Sequence, residues 1–323
     1  MSLFDLPHDE ARRIARSGAP VFILVNPVEY HGPHLSLHND RLIANGLTRD
    51  VHARLALAHP EWPLVMGADL ELGVDPAPGP GSRHTPYRTA TEIIGEACRA
   101  LCELGATRVV LMTFHGSPLH NLALEAGADV CRAHGARALV PMHLLLEDAL
   151  RLEDTTVDAD AVKHIDDAAA RRRLLAALPT DFHGGFFETS LTLHYAPESV
   201  SPQYKTLPAC PKVVPDRALR LLSRAAALAG QSMRARELAF AAAGKGWGNL
   251  RPFYGYTSEP AYAAASAGQF FADAIVERFA TAVSDVFDRN APPPQPVLRW
   301  VEAMSLNGRL SGNHLSMRDV FGG

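Results

Sequence analysis

Short apolar runs alternate with longer stretches of helical spacing over the first 145 residues of the chain. The runs are rich in β-branched and aliphatic residues, as buried strands are, and they lie at 21–25, 63–66, 108–112 and 136–140. The stretches between them predict helices at 5–17, 40–58, 91–104 and 122–133. Gly105 follows the third of these helices in the position of a C-cap. This alternation predicts an α/β fold, with a mostly parallel sheet covered by helices on both faces.

The second half of the chain is less regular. Residues 145–180 are charged and helical in pattern, which indicates an excursion on one face, either a lid or a subunit contact. Further helices are predicted at 215–243 and 261–287, and turns at Gly244–Gly248 and Gly255–Pro260. Because no sharp boundary interrupts the pattern, residues 1–290 are interpreted as a single domain. Residues 291–323, which are rich in proline and then glycine, are predicted to form an extended or poorly ordered tail.

Composition narrows the class of protein. The chain has 323 residues, 47% of them hydrophobic, which is enough for a sizeable core. Its net charge is −4 and it carries no basic stripe, which argues against nucleic-acid binding. It has neither a signal-peptide pattern nor an apolar run of the roughly 18 residues that a membrane span needs. Four scattered cysteines are typical of reduced thiols, so a cytoplasmic location is expected.

The segment after the first strand concentrates side chains that bind metals or relay protons. Five of its residues are of this kind: Glu29, His31, His34, His38 and Asp40. Glu29 and His31 point the same way in an extended chain, and carboxylates with imidazoles suit Zn²⁺, Mn²⁺ or Fe²⁺. Taken singly, Asp40 would more commonly cap the next helix, and a lone histidine would simply be solvated. Together, after a buried strand, these residues predict a divalent-metal site.

A second histidine-bearing segment follows another strand. His115 comes three residues after the run at 108–112. Because the carboxyl ends of parallel strands meet at one edge of a sheet, His115 is predicted to join the same site. His120 is a candidate for substrate binding, with a role at the start of the next helix as an equal alternative.

Three further residues are weaker candidates on their chemistry alone. Ser82 and His84 lie in the Gly- and Pro-rich loop at 73–89 and are candidate substrate contacts, although such loops often only connect elements. Glu188 follows a His-Gly-Gly sequence, and by itself it indicates no more than a polar helix start.

Four motifs, in order, resemble those of the creatininase (creatinine amidohydrolase-like) family. Residues 29–40 resemble the family's Glu-x-His-Gly-Pro-His-Leu-x-Leu-x-x-Asp signature. His115-Gly116 stands where the family has His-Gly-Gly-Asn, and residues 183–190 resemble its His-(Ala/Gly)-Gly-x-x-Glu-Thr-Ser motif. Residues 255–268 are similar to its Gly-x-x-x-x-Pro…Gly turn before the last helix. The resemblance spans roughly residues 20–285.

The resemblance implies a three-layer α/β/α fold and two divalent ions per chain, Zn²⁺ or Mn²⁺, with Fe²⁺ also compatible. Glu29 and His115 would bind one ion and His31 the other, with Asp40 bridging the two. Glu188 would complete the second site. The family also forms hexamers, so a homo-oligomer is expected, and closed symmetry is the norm for soluble oligomers.

The resemblance also implies a proton-transfer residue, His183, whose intrinsic pKa suits that role. Two positions depart from the pattern. Ser117 stands where creatininase itself has a glutamate ligand, and a serine cannot replace it, which favours Glu188 as the ligand. Pro118 replaces the usual asparagine, which leaves the backbone conformation there open.

Two cations that activate water and polarise a carbonyl predict hydrolysis. The favoured function is cleavage of a C–N amide bond, linear or cyclic, in a small polar substrate. Two alternatives stay open: hydrolysis of another bond, such as the ring C–C bond of a keto-sugar (an inosose), and a non-catalytic metal-binding accessory protein. In creatininase two tryptophans flank the substrate ring, and residues 145–165 and 179–182 contain none. Creatinine is therefore predicted not to be the physiological substrate.

Overall fold

A sheet of four parallel strands forms the centre of the protein. The computed structural model describes residues 1–152 and 159–310. The strands are β1 (Val21–Asn26), β2 (Val65–Glu71), β3 (Arg108–Met112) and β4 (Arg137–Leu139). Their order across the sheet is β2-β1-β3-β4, which places β1 and β3 in the middle. Both central strands have the continuous apolar sequence that burial on two faces requires.

Helices of widely different length connect and follow the strands. Within the described residues they are α1 (His8–Ala15), α2 (Asn39–Leu55), α3 (Tyr87–Leu104), α4 (Pro118–Ala133), α5 (Met142–Arg151), α6 (Ala168–Ala177), α7 (Phe186–Tyr195), α8 (Arg217–Leu228), α9 (Ser232–Gly248), α10 (Ala265–Asp288) and α11 (Trp300–Met304). The left-handed conformation of Gly105 ends α3, as predicted.

The helices cover both faces of the sheet. Alternate residues of β1 point into opposite cores. Ile23 and Val25 pack with α1, α3 and α4, whereas Phe22 and Leu24 pack with α2, α7 and α10. The predicted three-layer α/β/α fold with a parallel central sheet is therefore confirmed.

Two elements near the sheet differ from the sequence-based prediction. β2 continues to Glu71, well past the predicted 63–66. The prediction missed its second half because β2 lies at the edge of the sheet, where half-buried and exposed residues alternate and form no apolar run. α4 begins at Pro118, where the hydroxyl of Ser117 caps the helix by accepting a hydrogen bond from the backbone N–H of His120. The departure at Ser117-Pro118 is therefore an ordinary helix start.

The predicted helix at 215–243 is a hairpin of two helices, α8 and α9. The second helix continues through Gly244–Gly248, so the turn predicted there is wrong. Gly246 serves close packing instead, since a Cβ there would lie 2.3 Å from the backbone oxygen of Val214. A helix can retain glycine where a neighbouring chain approaches this closely.

The charged excursion at 145–180 takes part in the core. Ala161, Val162 and Leu174 are buried on the side of the sheet covered by α10. Residues 153–158 of this excursion lie outside the described residues.

The tail contains a short helix, α11, and the side chain of Leu298 is buried just before it. The extended structure predicted for the tail is thus wrong at 300–304, and residues 311–323 lie outside the described part of the chain. All four cysteines are free. No helix of the described residues is both long and apolar enough to cross a membrane.

Candidate metal centre

Five side chains that the sequence predicted as metal ligands meet at the carboxyl edge of the sheet, and we call them the metal centre. Glu29 and His31 lie in the loop after β1, Asp40 in the first turn of α2, and His115 just after β3. Glu188 comes from the first turn of α7, which packs against α2 and α10. Each of the five is at most 5% exposed.

Glu29, Asp40 and His115 form one group of candidate ligands, with ligand atoms within 4.8 Å of one another. Nδ1 of His115 lies 2.9 Å from Oε2 of Glu29 and 3.5 Å from Oδ2 of Asp40. Nε2 of His115 donates to the backbone oxygen of Val74 at 3.0 Å. A backbone oxygen can only accept, so this contact leaves Nδ1 to face the two carboxylates.

His31, Asp40 and Glu188 form a second group of candidate ligands. Nε2 of His31 lies 3.0 Å from Oδ1 of Asp40 and 3.7 Å from Oε2 of Glu188. Nδ1 of His31 donates to the backbone oxygen of Glu29 at 3.1 Å. Asp40 thus belongs to both groups, with one oxygen toward each histidine, as a bridging carboxylate would be.

Several carboxylate oxygens of the metal centre lack hydrogen-bond donors. Among the described residues, both oxygens of Asp40 and Oε2 of Glu29 are buried without a hydrogen-bond partner. Histidine nitrogens approach them at 2.9–3.5 Å without hydrogen-bond alignment, and the ion pairs described for Glu29, Asp40 and Glu188 are all with histidines. A buried, unsatisfied carboxylate is costly. The residues therefore fit divalent cations, which bind such oxygen and imidazole ligands.

Electrostatics in the metal centre favour protonated histidines when no cation is present. Burial alone would lower the pKa of His31, but the carboxylates, led by Asp40, raise it to about 10. Burial would likewise lower the pKa of His115, but Glu29 and Asp40 raise it well above its ordinary value. Burial, reinforced by the charge of Asp40, raises the pKa of Glu188 to about 8. Protons therefore balance charges that cations would otherwise balance.

His183 lies beside the metal centre. Its ring stacks on that of His31 with centroids 4.2 Å apart, and its Nε2 lies 3.0 Å from Oε1 of Glu29. Its Nδ1 donates to the backbone oxygen of Gly255 at 3.1 Å. Burial and the positive charge of His31 lower the pKa of His183, which favours the neutral imidazole at neutral pH. Because Glu29, His31 and His183 form a third group of candidate ligand atoms, its position allows either proton transfer or metal binding.

Two predicted substrate contacts are engaged in bracing the loop that follows β2. The hydroxyl of Ser82 donates to the backbone oxygen of Ala77 at 2.7 Å and accepts from the backbone N–H of Tyr30 at 2.9 Å. Nδ1 of His84 accepts from the backbone N–H of Asp75 at 3.4 Å. These contacts fix the loop over Glu29, whose Oε1 accepts from the backbone N–H of Ala77.

The third predicted substrate contact, His120, is fully buried behind His115. The two rings meet edge to face with centroids 4.9 Å apart. Nε2 of His120 lies 3.2 Å from the backbone oxygen of Val25 and 3.2 Å from the hydroxyl of Thr113. His120 therefore packs against a candidate ligand and is closed off from solvent.

An aromatic ring that the sequence did not predict lies beside His183. Trp247, near the end of α9, is 6% exposed and its ring centroid lies 4.9 Å from that of His183. Its Nε1 donates to the backbone oxygen of Tyr256 at 3.0 Å. The signal in the sequence was a tryptophan between two glycines, which was interpreted as a turn. The prediction about creatinine rested on the absence of tryptophan from residues 145–165 and 179–182, and it stays a prediction.

The chain matches known proteins in sequence profile and in fold. The family profile described as Creatininase: Creatinine amidohydrolase matches residues 5–283. No curated protein sequence matches the chain. Among solved structures, a creatinine amidohydrolase (creatininase) is 21% identical with a TM-score of 0.56, covering 89% of this chain and 98% of that chain.

A putative creatinine amidohydrolase from Bacteroides fragilis NCTC 9343 is 18% identical with a TM-score of 0.58, covering 89% of this chain and 96% of that chain. A mutant creatininase of the Zn-Zn type is 20% identical with a TM-score of 0.57, covering 89% and 98% respectively. At these identities the similar structures establish the shared fold, and the profile, which spans most of the sequence, establishes the family. The chain belongs to the creatininase family.

Proposed function

We propose that this protein is a two-metal hydrolase that cleaves a C–N amide bond in a small polar substrate. The observation that carries the proposal is the pair of ligand groups that share Asp40. Membership of a family described as creatinine amidohydrolase supports an amide as the bond cleaved. One similar structure is a creatininase complexed with creatine, which supports a small polar substrate.

The ligands divide between two sites. Glu29, His115 and Asp40 would hold one ion, and His31, Glu188 and Asp40 the other. Similar structures include a Zn-Zn creatininase and a manganese creatininase, so zinc and manganese are the ions to test first, with Fe²⁺ also suited to these donors. When bound, two cations would lower the pKa of a water molecule and polarise the substrate carbonyl.

We assign proton transfer to His183. The lowered pKa keeps its imidazole neutral near pH 7, and the contact from Nδ1 to Gly255 leaves Nε2 to take up a proton. Oε1 of Glu29, 3.0 Å from Nε2, stabilises the protonated ring, which can then donate to the leaving nitrogen. Trp247 covers the ring and limits its contact with water.

A substrate screen of the Zn²⁺- and Mn²⁺-loaded protein tests the proposal, with lactams, formamides, inososes and creatinine as substrates. We expect turnover of at least one amide, with kcat/KM above about 10⁴ M⁻¹s⁻¹ for a physiological substrate, and none after metal removal. Turnover of inososes alone would replace amide cleavage with C–C cleavage. A kcat/KM above about 10⁴ M⁻¹s⁻¹ with creatinine would contradict the prediction that creatinine is not the physiological substrate.

We also propose that the protein is a homo-oligomer. The solvent-facing side of α8 carries three large apolar residues that are more than half exposed: Leu221, Leu222 and Leu228. Apolar patches of this kind mark contact surfaces, and the family resemblance points to a hexamer. Light scattering at micromolar protein should show a multiple of the 34.9 kDa chain mass. A single species of monomer mass would contradict this proposal.

A further inference from the structure

Asp181 is a buried carboxylate that belongs to none of the ligand groups. It lies just before the His183-Gly184-Gly185 turn and is 4% exposed. Its two oxygens accept hydrogen bonds from two different parts of the chain, one at the start of α7 and one in the turn at 255–258. The first contact leads to Glu188 and the second to His183, which both belong to the motif at 183–190.

The first contact fixes the helix that carries Glu188. Oδ2 of Asp181 accepts from the backbone N–H of Phe187 at 2.9 Å. The residue in the N-cap position of α7 is Gly185, which has no side chain to cap the helix. Asp181 therefore replaces the missing cap and places a negative charge at the helix N-terminus, where it is stabilising. Glu188 follows Phe187 directly, in the same turn.

The second contact fixes the backbone of His183. Oδ1 of Asp181 accepts from the hydroxyl of Thr257 at 2.8 Å. That hydroxyl accepts from the backbone N–H of His183 at 3.3 Å, and the backbone N–H of Thr257 donates to the backbone oxygen of His183 at 2.7 Å. The same turn supplies the Gly255 oxygen that orients the imidazole.

The two glycines of the motif make room for this arrangement. A Cβ on Gly185 would lie 1.8 Å from Oδ1 of Asp181 and 2.5 Å from the backbone oxygen of Thr257. Gly184 has a φ of +56°, a conformation that other residues rarely adopt. The close approach of Asp181 and Thr257 thus explains Gly185, and the backbone conformation explains Gly184.

We infer that Asp181 is a positioning residue that holds Glu188 and His183 in place through these two contacts. The part that concerns His183 rests on the proposed function, whereas the part that concerns Glu188 needs only metal binding. Because Glu29, Asp40 and His115 come from segments that Asp181 does not contact, the effect on metal binding is selective for one ion.

Zinc titration against a chromophoric chelator tests the selectivity in Asp181→Ala. We expect one of the two ions to bind about 10–100-fold more weakly, as is usual when a group that orients a ligand is removed. The other ion should bind as in the native protein. Equal weakening of both ions, or no weakening of either, would overturn the inference.

Two matched variants separate positioning from general destabilisation. Asp181→Asn keeps an acceptor for Phe187, and the Thr257 hydroxyl can turn to the backbone oxygen of His183, 3.0 Å away. In Asp181→Asn both ions should bind within about threefold of their native affinities, a much smaller change than the weakening expected for one ion in Asp181→Ala. Asp167→Ala removes an aspartate that caps α6 by accepting from the backbone N–H of Ala169 at 2.8 Å, and it should leave both affinities unchanged.

Thr257→Val tests the second contact, and it also serves if Asp181→Ala does not fold. The cap on α7 stays intact, so both ions should bind normally, while kcat for an amide substrate falls at least about tenfold at constant KM. Thr257→Ser, which retains the hydroxyl, should restore kcat. Unchanged kcat in Thr257→Val would overturn the role at His183. If no amide is turned over by the native protein, the proposed function fails, but the zinc titration still decides whether Asp181 positions Glu188.

Discussion

The protein contains two groups of histidine and carboxylate side chains with different charge balance, one buried and the other partly buried. In the first group, the metal centre, three carboxylates meet histidines, and two of them, Glu29 and Asp40, carry oxygens without hydrogen-bond partners. In the second group, Glu125 of α4 lies between His143 and Arg132. Nε2 of His143 is 3.0 Å from Oε2 of Glu125, and the guanidinium of Arg132 pairs with Oε1. Each oxygen of Glu125 therefore has a partner within the protein.

The difference shows which group needs an external cation. Arg132 is permanently charged and offers several donors in a fixed geometry, and together with His143 it supplies a partner within the protein for both oxygens of Glu125. The ion pairs of the metal centre within the described residues are with histidines only. Histidine can give up its proton and become a ligand. The same residue types thus indicate a structural network in one place and a metal site in the other.

Removing the central carboxylate of each group should separate the two roles most strongly. Asp40→Ala should lose both ions, because Asp40 belongs to both ligand groups. Glu125→Ala should keep both ions and instead lower the free energy of unfolding by on the order of 1–3 kcal/mol, since it removes the carboxylate partner of the buried His143. Elemental analysis after dialysis and a thermal melt measure the two effects. Two ions retained in Asp40→Ala would contradict the bridging role.

His183→Ala should give the next largest effect. The ion content should stay at two per chain, while kcat for the amide substrate falls by on the order of 10²–10⁴-fold. The reason is that His183 faces Glu29 from outside the two groups that share Asp40. If ions are lost together with activity, His183 is a ligand, which its place in the third candidate group allows.

Metal binding at the metal centre should also release protons. His31, with a pKa raised to about 10, and His115, with a pKa raised well above its ordinary value, hold protons at pH 7 in the metal-free protein. A cation must displace them, so affinity should rise with pH, by roughly tenfold per unit for each proton released. Calorimetric titration in buffers of different ionisation enthalpy counts these protons. Binding without proton release at pH 7 would show that the histidines are not the ligands.

The sequence predicted the layers of the fold because its central strands are apolar without interruption. The bounds of β1 and β3 were predicted nearly to the residue. The length of edge strand β2 was underestimated because its second half alternates half-buried and exposed residues. The predicted helix ended at residue 243, before the true end of α9, because glycine is common in turns. Only the packing of Gly246 against Val214 reveals why glycine is tolerated there. Local propensity could not supply that information.

The candidate site was predictable only where its residues cluster along the chain. Glu29, His31 and Asp40 stand close together in one segment of the chain, and His115 follows a strand that had to end at the same edge. Glu188 entered through the family resemblance, since only the packing of α7 brings it to the site. The contacts of Asp181 with Thr257 and of Trp247 with His183 join segments far apart in sequence, and no periodic pattern reports them.

The central claim is that Asp40 bridges two cations. Anomalous diffraction from crystals of the zinc- or manganese-loaded protein, recorded at the metal edge, tests it most directly. We expect two peaks in each chain, one bounded by Glu29, Asp40 and His115 and the other by His31, Asp40 and Glu188. A single peak, or a second ion bound through His183 and not through Glu188, would contradict it.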